Sequence, residues 1–123
     1  MRTQNEIGNA LLLLIKEREY NQITITDICK RADIVRKTFY NNFDSKDDVM
    51  NFLINNIFLE LEQKIDVEYM NVRRMLLIVF SFIMKYRDDL LLFYNRGLLR
   101  FARKSITTNI TKEHILMRLD KLR

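Results

Sequence analysis

Apolar positions along this 123-residue chain recur at helical spacing, not at the alternation of a strand. Ile7, Ala10, Leu11, Leu14 and Ile15 fall on one face of a predicted helix over residues 4–19. Asn21, Gln22 and Ile23 read as a connector. Thr24 stands three residues before Asp27, a capping-box pair that predicts a helix from Ile25 to Ala32 with Ile28, Cys29 and Ala32 on a small apolar face. Ala32, Asp33 and Ile34 break it, because Asp tolerates left-handed turn geometry better than most side chains. A second short helix ends at Asn42, with Phe39 and Phe43 one turn apart as its buried side. Val35, at its start, carries no oxygen to cap the helix, so that end is expected to be weak.

Ser45 and Asp48 repeat the capping-box spacing and open a long helix to residue 65. Val49, Leu53, Ile57, Leu61 and Ile65 recur every four residues, and Phe52, Ile54 and Phe58 widen the stripe. A helix apolar over more than one face is expected to pack against the first three helices on one side and a second helical layer on the other. After a break at 66–71, residues 72–87 are apolar almost all round and are expected at the centre of that layer. Residues 88–102 predict another helix, interrupted at Gly97, and Thr108 or Thr111 opens a last one through Leu122. The expected fold is all-α: a three-helix head over residues 1–46, then a small helical domain over 47–123.

Composition agrees with this picture. At 48% hydrophobic and 30% charged the chain is globular, and with no proline and glycine only at 8 and 97 little interrupts helices. Cys29 has no second cysteine to pair with, which suits a reducing cytoplasm and an inert core thiol. No secretory leader is expected, since residues 1–6 are polar and the apolar run 11–15 is short. The uncharged run 75–84 would span roughly 15 Å as a helix, half a bilayer core, so no membrane span is expected.

The net charge of +5 is unevenly spread. Residues 1–46 hold eight Lys/Arg against six Asp/Glu, residues 47–95 five against eight, and residues 96–123 eight against two. One basic cluster therefore lies around Lys30, Arg31, Arg36, Lys37 and Lys46, and a second near the C-terminus reads as a solvated face.

The pieces of an enzyme are missing: no glycine-rich phosphate loop, no Ser/His/Asp or Cys/His set, no metal-ligand spacing around the lone His114, and nothing that calls for a cofactor. Two short helices joined by a tight turn, the second polar and basic outside, have the form of a helix-turn-helix reader of double-stranded DNA. Arg36, Lys37, Thr38, Tyr40 and Asn41 would then face base edges and phosphates. Thr24 and Thr26, at the start of the preceding helix, would donate to the DNA backbone, and Lys46 opens the long helix, where unpaired N–H groups favour an anion.

At Thr24, Ile25, Ile28, Cys29, Ala32 to Val35, Thr38 to Tyr40, Phe43, Lys46 and Val49 the chain resembles the DNA-binding domain of the tetracycline-repressor (TetR) family. The Thr38-Phe39-Tyr40, Phe43 and Lys46 core is specific to that pattern. Three positions depart from it: Asp33 replaces the turn Gly, Val35 the cap Ser, and Cys29 an Ala. The match covers the first half; the second half resembles the family only in being helical and apolar, and the chain is shorter than the family usually runs. The resemblance implies phosphate contacts at Tyr40 and Lys46 and a transcriptional regulator, expected as a repressor. A homodimer on a near-palindromic operator is expected because one head makes few base contacts, with Leu98, Phe101, Ile115, Leu119 and Leu122 as its apolar interface. The family likeness also implies a small-molecule inducer, for which Met75, Phe80, Phe82, Phe93, Tyr94 and Phe101 are the candidate pocket lining. The alternative is a helical interaction protein that has kept a degenerate helix-turn-helix without specific DNA binding.

Overall fold

The stripe Ile7, Leu11, Leu14 and Ile15 decides how the first helix, α1 (Arg2–Glu17), lies: all four side chains are buried. A computed structural model describes residues 2–105, and no strand occurs among them. After α1 come a 3-10 turn at Tyr20–Gln22, α2 (Ile25–Ala32), α3 (Arg36–Asn42) and α4 (Lys46–Lys64). A second 3-10 turn at Val67–Tyr69 precedes α5 (Val72–Lys85), α6 (Arg87–Asn95) and α7 (Arg100–Ser105). The chain divides into two compact units, Met1–Leu53 and Ile54–Arg123, so the division falls within α4.

In the first unit α1, α2 and α3 pack together around Ile28, Phe39 and the α1 stripe, with Val49 and Met50 of α4 also buried. Full burial of each such side chain is worth about 1.5–3 kcal/mol, which is how three short helices hold together. Phe39, Phe43 and Phe52 run through this core as a ladder, with ring centroids 6.1 and 5.4 Å apart. Gly8 lets α1 approach α4: a Cβ there would stand 3.0 Å from Leu53 Cδ2 and 3.4 Å from Phe52 Cε1.

In the second unit Phe82 of α5 lies between Phe58 of α4 (5.5 Å) and Tyr86 (5.3 Å). The Glu60 carboxylate accepts from both Lys85 Nζ and Tyr86 Oη, and these bonds, Lys85 first, hold its pKa below the ordinary carboxylate range. The predicted interruption at Gly97 is a Schellman turn. Gly97 is left-handed (φ 70°), Leu98 N–H donates to Phe93 O at 2.7 Å, and Gly97 N–H donates to Tyr94 O at 3.1 Å. The turn folds Leu98 back beside Phe93, and both are buried with Phe101.

Two expectations are corrected here. Residues 72–87 are not central: α5 fully buries only Phe82, while Val72, Leu76, Leu77, Phe80, Ile83 and Met84 are exposed. Leu98 and Phe101 are not available to a dimer partner, because the Gly97 turn commits them to their own unit's core. Ile115, Leu119, Leu122, His114 and the last predicted helix lie outside the described residues.

The close approach at Gly8 carries a prediction. Gly8→Val puts branched atoms where Leu53 and Phe52 already stand. It is expected to destabilise the protein by about 1–3 kcal/mol, the usual cost of overpacking a filled site. A urea denaturation midpoint at or above the parent's would show that the α1–α4 contact has room to spare.

Candidate nucleic-acid interface

The candidate surface begins with the cap of α2. Asp27 N–H donates to Thr24 Oγ1 at 3.1 Å, and Thr24 N–H donates to Asp27 Oδ2 at 2.9 Å, so the capping box forms in full. Thr26, in the first turn, is exposed. At the far end Asp33 adopts the left-handed conformation (φ 57°), and Ile34 N–H donates back to Cys29 O at 3.0 Å. This is the Gly97 turn again, built on Asp. Val35 caps α3 with no side-chain hydrogen bond, as its lack of an oxygen requires.

On α3, Phe39 points into the core, so Lys37 and Asn41, about half a turn round the helix from it, point outward. Asn42 Nδ2 donates to Thr38 O at 2.8 Å and holds Thr38 partly covered. Arg36 ties the two helices together. Its Nη1 donates to Thr26 Oγ1 at 2.7 Å, its Nη2 donates to Tyr40 Oη at 3.4 Å, and its guanidinium lies 5.9 Å from the centre of the Tyr40 ring. Cys29 lies beneath, buried, and desolvation pushes its thiol pKa up, away from the reactive thiolate.

Lys46 is placed differently from the other expected contacts. Its Nζ donates to Tyr20 O at 2.7 Å and to Ile23 O at 3.0 Å, and it lies 4.1 Å from the centre of the Tyr20 ring. Tyr20 Oη in turn donates to Asp47 Oδ1 at 2.5 Å. These contacts pin the start of α4 to the turn that precedes α2. Tyr20 and Asp47 were not legible as partners, since 26 and 27 residues separate the bonded pairs. The expected Ser45–Asp48 box forms by half: Asp48 N–H donates to Ser45 Oγ, but the Asp48 carboxylate accepts from Asp44 N–H, one residue early.

The six candidate lining residues of a ligand pocket do not share one surroundings. Phe82, Phe93 and Phe101 are core, Met75 is half-buried, and Phe80 and Tyr94 are 64% and 68% exposed. A cleft of about 290 Å³ in this unit is lined by other residues, among them Tyr69, Met70, Arg74 and Leu77.

Residues 9–51, spanning this surface and its core, match the model of the family described as bacterial regulatory proteins, tetR family. Over 94 residues, 76% of the chain, it is 31% identical to the HTH-type dhaKLM operon transcriptional activator DhaS of Lactococcus lactis subsp. lactis (strain IL1403). The chain belongs to the tetR family. Its all-α fold, with a helix-turn-helix at the N-terminus, is that of a tetR-family protein. The aligned stretch covers 48% of DhaS, so the chain spans about half the length of that relative. No solved structure matches the chain significantly.

Two predictions arise from this tetR-family head. Lys46→Met keeps the stem but loses both carbonyl bonds, and should cost about 1–3 kcal/mol of stability. If thermal melting is unchanged while DNA affinity falls, Lys46 is a phosphate contact and not a brace. The second concerns acid. The backbone amide of Thr24, then its hydroxyl, hold the Asp27 carboxyl below its ordinary pKa. A depressed folded pKa stabilises above the unfolded value, about 3.9, and that stabilisation is lost as pH falls through the folded value. Between about pH 5 and pH 2 the parent should therefore lose stability more steeply than Asp27→Ala, measured as urea midpoints; parallel curves would contradict this.

Proposed function

We propose that the chain is a sequence-specific, double-stranded-DNA-binding transcriptional regulator that reads the major groove with α3. The observation that carries this is the Arg36 bridge. Arg36 holds Thr26 of α2 and Tyr40 of α3 on one exposed face, although they come from different helices. Both hydroxyl oxygens accept from a cation, which leaves each its own O–H as a donor, and donors of this kind suit phosphate. Thr24 sits at the same helix start, its oxygen accepting from Asp27 N–H. Lys37 and Asn41 then face the groove floor, where Lys suits guanine acceptors and Asn suits adenine.

The reading includes a homodimer on a near-palindromic site, with recognition helices about 34 Å apart, because one head offers few base contacts. DhaS is by name an activator, so the proposal is regulation in either sense and not repression alone. Such a regulator works where the DNA is, in the cytoplasm. Control by a small molecule would follow from family likeness, but the six lining residues first considered divide between core and surface.

The test is selection from a random duplex library, followed by affinity measurements across salt. Arg36→Ala should weaken binding to selected and random duplexes alike and lower the salt slope by about 1. Lys37→Ala or Asn41→Ala should relax preference at one position of the selected site, by about 1–3 kcal/mol. Folded variants that bind all duplexes as the parent does would leave the interaction-protein reading in its place.

A further inference from the structure

Val35 is the residue of the reading head that its fold explains least. As the N-cap of α3 its side chain accepts no backbone N–H, and a cap without a side-chain oxygen weakens a helix. Burial does not compensate, because Val35 is 68% exposed. Its backbone is extended (φ −88°, ψ 159°), the ordinary conformation of an N-cap, so backbone geometry gives no separate reason for Val at this position. It lies beside Arg36 and Lys37, at the end of α3 that enters a groove first in a helix-turn-helix. A side chain that breaks a local rule without compensation in the free fold directs attention to a role outside that fold.

In the major groove one base carries an apolar group, the C5 methyl of thymine. We infer that Val35 is a specificity-determining residue that packs its methyl groups on a thymine methyl in each half-site. This rests on the DNA-reading proposal above and adds a named base to it. The neighbouring polar residues leave this role to Val35, since Arg36 is engaged with Thr26 and Tyr40 and Lys37 ends in an ammonium.

The test uses the full chain and duplexes it selects from a random library. Each thymine of the selected half-site is replaced singly by deoxyuridine, which pairs identically but lacks the methyl. For the parent, one such replacement should weaken binding about fourfold, the value of one methyl-sized apolar group removed from water. For Val35→Ser, which restores a capping oxygen, the same replacement should change nothing, and the melting temperature should rise. Val35→Ala provides a second variant without the branched methyls and should show the same insensitivity. A selected site with no thymine, a parent indifferent to every replacement, or a penalty that persists in both variants would each overturn the inference while leaving DNA binding intact. Failure to select any duplex would overturn the DNA-reading proposal itself, and this inference with it.

Discussion

The left-handed backbone at Asp33 sets the angle at which α3 leaves α2, and the candidate face of Thr26, Arg36 and Tyr40 depends on that angle. Ile34 N–H reaches back to Cys29 O and Asp33 N–H to Lys30 O, so the last carbonyls of α2 are satisfied as the chain turns. A side chain in this region costs about 1–2 kcal/mol for most residues. Asp lowers that cost because its short polar group bonds locally, which is why it can stand where glycine is usual. Arg36 reaches Thr26 only because the turn brings the first turn of α3 beside the first turn of α2. Phe39 then fills the space beneath, and its burial holds the angle that Asp33 creates.

The same geometry sorts the charges of the head. A formal count of eight basic and six acidic residues over 1–46 suggests a weakly basic domain. The fold pairs several of these internally. Arg31 Nη2 lies 2.7 Å from Glu17 and Arg18 Nη1 lies 3.2 Å from Asp27, and Lys46 is held by carbonyl oxygens. Arg36 and Lys37 form no ion pair among the described residues. Unbalanced positive charge therefore remains on α3, as it does at Lys16 of α1 and Lys30 of α2, which form no ion pair among the described residues either.

What could be read from sequence was what is local. The bounds of α2 and α3 fall where the capping box, the Asp33 break and the Phe39–Phe43 pair put them, because each signal acts within four residues. The Gly97 interruption was legible for the same reason. The Tyr20–Lys46–Asp47 brace was not, since its two bonds join segments that no periodicity relates. The Arg36 bridge was half visible: all three residues were marked as candidates, but nothing in their spacing says that one holds the other two.

The misreading of α5 has a geometric cause. Hydropathy along a helix states which faces would gain from burial, not how much surface is at hand to cover them. A cylinder lying against two neighbours is covered along two lines only. Within its unit α5 touches α4 through Phe82 and Lys85, and it also packs against α6. Those contacts account for Phe82. The stripe Val72, Leu76, Phe80 and Ile83 runs along another side, where no described helix covers it. The head escapes this difficulty because its helices are short and each needs only one dry face, so three of them can enclose one another. A helix apolar on every side needs a ring of neighbours, and the contacts with α4 and α6 among the described residues cover only part of that ring.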